Sequence, residues 1–279
     1  MRTILTVLFF LLASLSYAQV QYEPLELVKK ILTEDDPGDM SAYYAYKSED
    51  ALSKEDFRGG LTFNFRELYK DEDVAVVNIT LTDGSDGLDI YVHFVKEGVW
   101  KIKATRGLAL TGIIYKAIEE YSSMTNSQID SLVQTESAKE DGRYKSREDF
   151  DLELKNMHLI VALDDTIVRH FQDNKAAFES LKDKVSAYVK TLPENKEDRS
   201  QNISEPFSSE IRRLSLDGIH LDNYLLGCTH CLEFSIGGMV DNIVGYFYLE
   251  DKSKLPKPNP SRVIMVREIG NGWYMYKTT

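Results

Sequence analysis

The spacing of apolar residues changes repeatedly along this chain, and each change marks a different kind of element. Ile4 to Leu15 is an almost continuous apolar run, preceded by Arg2 and followed by Ser16-Tyr17-Ala18. A positive start, a short apolar stretch and a small-x-small site make a secretory signal, with cleavage expected between Ala18 and Gln19. The run falls short of the ~20 residues that span a bilayer, so no stable membrane insertion is expected after cleavage. The expected location is the periplasm or the extracellular space.

Helical spacing follows. Pro24 to Leu32 places Leu25, Val28, Ile31 and Leu32 on one face. The pattern then shortens to strands: Val74 to Leu81, a turn-rich Thr82 to Gly87, and Leu88 to Val95 with Val99 to Ala104 around Lys96-Glu97-Gly98. Ile113, Ile114, Ala117, Ile118 and Tyr121 restore helical spacing. Thr125 to Glu148 is polar. Asp165 to Leu192 then reads as one long helix, striped by Ile167, Phe171, Phe178, Leu181 and Val185, with Asp164 or Asp165 as N-cap and Pro193 as stop. Strands are expected at Tyr224 to Ile236, Ile243 to Leu249, Arg262 to Glu268 and Trp273 to Thr278. Asn271-Gly272 makes a hairpin of the last two.

These elements predict an α+β fold of two units, each a set of helices against a curved antiparallel sheet. The expected division is a signal peptide over 1–18, a first domain over 19–124, a polar linker or helix extension over 125–148, and a second domain over 149–279. His93 to Thr105 and Met265 to Thr278 both read as strand, glycine turn and aromatic-led strand, which suggests a duplication.

Composition narrows the function classes. Forty-five acidic residues against 33 lysines and arginines give a net charge of −12, which argues against nucleic acid and anionic membranes as partners. Two cysteines are too few for a disulfide scaffold, so the fold must stand on apolar cores.

Candidate chemistry centres on Cys228-Thr229-His230-Cys231. Haem attachment needs a histidine after the second cysteine, and Leu232 stands there. If the segment is a strand, Cys228 and His230 share an apolar face with Leu232, Phe234 and Ile236, while Cys231 faces away. A packing role is then the expectation, with metal binding through His220 or His230 and redox chemistry as alternatives. Asp83, Asp86 and Asp89 read as a polar hairpin loop rather than a calcium loop. Gly237-Gly238 reads as a bend or bulge. No nucleophile elbow or phosphate loop is present in the sequence. Aromatic density adds Tyr246, Tyr248 and Trp273 to Cys228 and His230 as candidate ligand-pocket residues. No catalytic, cofactor or metal residue is assigned.

The tail FSIGGMVDNIVGYFYLED, a proline-rich loop and NGWYMYKTT resemble the C-terminal pattern of uncharacterised exported proteins of Bacteroidota and related bacteria. The helix-and-sheet halves are similar in outline to the cystatin-like and NTF2-like superfamily. That resemblance implies a cone-shaped pocket between sheet and helix, used by some members for small ligands and by a few for catalysis.

The expected function is non-catalytic binding of a small molecule, a glycan or another envelope protein. The alternative is an envelope hydrolase or isomerase with a histidine or carboxylate in a second-domain pocket. A deep pocket where such groups converge separates the second from the first.

Overall fold

The computed structural model describes residues 20–45, 52–54, 57, 60–84, 86–192, 201–222, 226–228 and 231–279. Seven α-helices and two antiparallel sheets are found among them, a mixed α+β fold. None of the described helices is long and apolar enough to cross a membrane.

Helix α1 (Pro24–Thr33) opens on proline, whose missing N–H costs nothing at that position. Its Leu27, Val28, Ile31 and Leu32 bury against Val77, Ile79, Val92, Phe94 and Ile102 of the first sheet. That sheet is a meander of β1 (Thr62–Lys70), β2 (Val74–Asp83), β3 (Asp86–Glu97) and β4 (Val99–Arg106), paired in that order. Strand β1 was not foreseen: only Phe63 and Phe65 alternate clearly, and a register shift between Glu67 and Tyr69 breaks the pattern. The expected polar loop is also shorter. Thr82 pairs with Gly87 and Asp83 with Asp86, so Asp89 sits inside a strand and is buried.

Five helices follow: α2 (Thr111–Ser123), α3 (Asn126–Ser137), α4 (Arg147–Ile160), α5 (Asp164–Asp173) and α6 (Lys175–Val189). Reciprocal bonds between Thr125 and Gln128 start α3, and between Ser146 and Asp149 start α4. The single long helix expected from Asp165 is instead two. Asn174 leaves helical geometry, and its Nδ2 donates to the His170 carbonyl at 2.8 Å. Side-chain competition for the main chain ends α5 there, while the apolar stripe runs on across the break. The N-cap is Leu163. Asp164 lies inside α5, fully buried.

The second sheet runs β5 (Gln201–Asn202), β6 (Gly218–Leu221), β7 (Leu232–Met239), β8 (Asn242–Tyr248), β10 (Trp273–Thr278), β9 (Val263–Gly270), with α7 (Ser208–Arg213) before β6. Asn271 and Gly272 join β9 to β10 with φ values of 56° and 80°, as a tight hairpin requires. The register of β7 on β8 shifts between Ser235 and Gly237, the expected bulge. The expected strand over Tyr224 to Ile236 begins only at Leu232. Gly227 turns the chain at φ +63°, so Cys228 does not share a face with Leu232, Phe234 and Ile236.

One face of the second sheet carries the main core. Phe171, Phe178 and Phe234 surround Trp273 with ring centroids 5.1, 5.9 and 5.1 Å away. Burying one such ring is worth roughly 1.5–3 kcal/mol. Val76 and Tyr91 of the first sheet belong to the same core.

A polar seam joins the two sheets. Lys277 Nζ lies 2.8 Å from Asp164 Oδ1, and both side chains are almost fully buried. The Tyr91 hydroxyl donates to the same oxygen at 2.7 Å, and the Asp164 N–H donates to Asp89 Oδ2 at 2.6 Å. Asn78 and Thr80 donate to the other Asp89 oxygen. Outside this buried set, Arg66 and Arg267 converge on Asp165 at 2.6 and 2.7 Å, holding its carboxyl down at about 2.

Candidate functional site

A cleft of about 780 Å³ opens where α2, α4 and α7 meet the far end of β7. Its floor is apolar: Ile114, Met157, Ile160, Ile211, Leu216 and Ile236 line it and continue into the main core. The volume falls within the range of small-molecule sites. Two features shape the opening. Ile113 of α2 is 54 % exposed at one side, and Val240, directly after the lining residue Met239, is 85 % exposed. Val240 also holds φ at +58°, an uncommon and strained state for a β-branched residue.

The N-terminus of α4 sets the polar rim. Asp149 accepts main-chain N–H groups of Lys145 and Ser146 at 2.9 Å each and pairs with Arg212 of α7. Partial burial opposes its charge, but Arg212 and those N–H groups outweigh it and hold the carboxyl below its ordinary range. Arg143 pairs with Glu153, and Lys145 donates to the carbonyls of Lys139 and Glu140. Each cation on the rim is therefore already engaged.

The wall formed by β7 is different. Strand β6 pairs with β7 only as far as Gly218 against Ser235, and β7 continues past it. The Asp217 N–H still reaches the Ser235 carbonyl at 2.7 Å, and Asn156 Nδ2 reaches that of Ile236 at 3.2 Å. Between them lies Gly237, at φ +138°. A Cβ there would stand 3.1 Å from Ile160 Cδ1, so glycine lets α4 approach the strand. Asn156 Oδ1 is left buried with no partner. Burial, and behind it the Glu233 carboxylate, push the Asp217 carboxyl up, against the pull of His220.

Behind Asp217, on the outer face of the sheet, lies a second cluster. His220 Nδ1 is 3.3 Å from Glu233 Oε2, close enough for charge pairing but not aligned as a hydrogen bond. Glu233 is 2 % exposed and accepts a short bond from the Tyr276 hydroxyl. The carboxylate raises the His220 pKa, and burial raises that of Tyr276. His220 does not line the cleft. Replacing Tyr276 by phenylalanine leaves this buried carboxylate short of a donor. Urea unfolding should then show a loss of about 1.5–3 kcal/mol.

The residues singled out from sequence fall elsewhere. Cys228 and Cys231 are buried, with no disulfide between them, in a small outer core with Phe247, Val266 and Tyr274, the Cys231 Sγ 3.5 Å from the Cys228 carbonyl. Tyr246 is buried and donates to the Ile167 carbonyl at 2.8 Å. Trp273 Nε1 donates to Glu179 at 3.1 Å, and Lys182 lies 4.7 Å over the half-buried Tyr248 ring. None of these five lines the cleft. His230, Ala18 and Gln19 lie outside the described residues. Among the described residues no group of three or more metal-ligating side chains is arranged to hold an ion.

Sequence reasoning did not name Asn156 or Asp217. Only the glycine pair Gly237-Gly238 pointed at this region. Comparison with protein-family models, with curated proteins and with solved structures finds no match.

Proposed function

We propose that this chain is an exported, non-catalytic binding protein that holds a small, largely apolar ligand in the cleft between α4 and β7. The observation that carries this reading is the cleft's composition: an apolar floor open to solvent, with the rim cations Arg143, Lys145 and Arg212 already engaged by neighbouring groups. The proposal of export, to the periplasm or outside the cell, is supported by the N-terminal signal pattern. The C-terminal resemblance to exported Bacteroidota proteins agrees with that location. A two-domain arrangement on the cystatin-like and NTF2-like plan accords with the helix-and-meander order, and a pocket between helix and sheet is where that plan would put a ligand.

The competing reading is a hydrolase or isomerase. One observation favours it, the carboxylate of Asp217 between the cleft and the His220–Glu233 pair. Against it, His220 stands off the cleft and Glu233 is occupied by Tyr276. Binding is the stronger conclusion.

A plug tests it. Leu152 lines the cleft and is only half-buried, so Leu152→Trp fills the space without entering the core. Titration with N-phenyl-1-naphthylamine, a neutral apolar fluorophore, is expected to show one saturable site. The variant should weaken it roughly tenfold or more while unfolding at the same urea concentration. Equal affinity of both proteins would place binding elsewhere and remove this reading.

A further inference from the structure

The buried seam between the sheets holds an amine against a carboxyl group, a pairing that is reactive as well as stabilising. Lys277 Nζ lies 2.8 Å from Asp164 Oδ1, and both side chains are almost fully buried. Both ends are fixed. Lys277 stands in β10 between Val244 of β8 and Met265 of β9, inside the second sheet. Asp164 opens α5, and its N–H is tied to Asp89 Oδ2 at 2.6 Å. Two groups held in this way meet at an effective concentration far above any reached in solution.

The surroundings favour an uncharged product. In water, hydration keeps an ammonium and a carboxylate apart as ions. Burial strips that hydration from both, and an amide formed from them carries no charge. Desolvation, with the Asp89 carboxylate adding to it, already pushes the Asp164 carboxyl up against the pull of Lys277. The two oxygens of that carboxyl are unequally held. Oδ1 accepts from the Tyr91 hydroxyl at 2.7 Å, a donor aimed at the oxygen on which charge gathers during attack. Oδ2 is buried with no partner among the described residues. Asp89 is engaged by Asn78, Thr80 and the Asp164 N–H, so no free acid is placed to relay protons. The step is therefore slow compared with folding, and the ion pair is its starting state.

We propose that Lys277 and Asp164 condense to an amide that joins β10 to α5 covalently. The Nζ–Cγ bond forms and the Cγ–Oδ2 bond breaks. Two of the three ammonium protons leave with Oδ2 as one water, and the third stays on the amide nitrogen. Oδ1 remains as the amide carbonyl, under the Tyr91 hydroxyl. No oxidant, cofactor or second protein is consumed. The link closes a long loop of chain, which restricts the unfolded state as other cross-links do. Newly folded protein carries the ion pair, and the linked form accumulates from it.

Peptide mapping by mass spectrometry tests this on the purified full chain, fresh and after weeks of incubation at neutral pH. The linked chain should be lighter by one water. Trypsin should release a branched peptide that joins residues 156–169 to residues 268–279 through Asp164 and Lys277. The branched share should grow with incubation, and chain held unfolded in guanidinium should form none, because proximity drives the step. Lys277→Arg keeps the cation without the reactive amine and should give no branch. Water lost only within a single peptide, as a cyclic imide, overturns the proposal, and so does a folded chain that loses none. A branch that forms equally in the unfolded chain, or that persists in Lys277→Arg, overturns it as well.

Discussion

Lys277→Met is expected to destabilise the protein by about 3–5 kcal/mol, because it strips the cation from a buried carboxylate. Asp164 is 1 % exposed, and among the described residues Lys277 and Tyr91 are its only partners at Oδ1, while its Oδ2 has none. Burial already pushes the Asp164 carboxyl up, chiefly by desolvation and against the attraction of Lys277. Without the lysine it rises further and the group takes a proton, so the penalty should shrink as pH falls. The double variant Asp164→Leu/Lys277→Met should recover most of the loss, since desolvating an ion pair often offsets its attraction. Urea unfolding of the four proteins gives the coupling energy directly. Equal stability of Lys277→Met and wild type would mean that the seam does not hold the sheets together.

Acid should weaken the fold through His93. This residue of β3 is 1 % exposed, and neither ring nitrogen has an aligned hydrogen-bond partner. Desolvation, reinforced by the nearby charges of Arg106 and Lys103, lowers its pKa to about 4, with only the Ile264 main chain acting the other way. The unfolded chain therefore takes up a proton near pH 6.5, whereas the folded one waits until about 4. Stability from the neutral ring is whole above 6.5 and is lost as pH falls through that window, by about 3 kcal/mol in all. Below pH 4 both states are protonated and the slope ends. His93→Leu should remove this dependence, which unfolding curves at half-unit pH steps will register as a gap between the two proteins. His220 works in the opposite sense, because its raised pKa adds stability at low pH that fades as pH climbs above its ordinary value. The difference between wild type and His93→Leu isolates one histidine from the other.

The first prediction concerns a seam that buries charge, and Lys277 stands in register with Val244 and through it with Gly237 of the cleft. The contrast bears on function. Asp164, Asp89 and Lys277 satisfy one another across two sheets, which is what a fixed junction requires. Asp217 and Glu205 line the cleft and stay open to solvent, as residues at a mouth do.

Much of the architecture was legible in the chain. The faces of α1 and of β2 to β4 follow from residue spacing, because burial on one side imposes a period of 3.6 or 2 on the sequence. The Asn271-Gly272 hairpin and the bulge at Gly237 follow from local backbone chemistry. Where these local rules meet a tertiary demand they stop being sufficient. Periodicity ran straight through Asn174, since the stripe of α5 and α6 serves one core on both sides of the break. Alternation over Leu226 to Ile236 suggested one strand, yet Gly227 turns the chain and puts both cysteines into a separate core.

The candidate site lay beyond reach for the same reason. Asn156, Asp217 and Gly237 come from a helix, a strand entrance and a bulge, and no spacing in the sequence relates them. The aromatic residues that stood out, Tyr246 and Trp273, stood out because large rings fill cores, and filling the core is where they went. Amphipathic period and turn chemistry are written residue by residue, so the sequence alone determined most of the helices and strands and the face each of these buries. Which acceptors end without a donor depends on what the folded neighbours have already taken, and only the tertiary structure decided that.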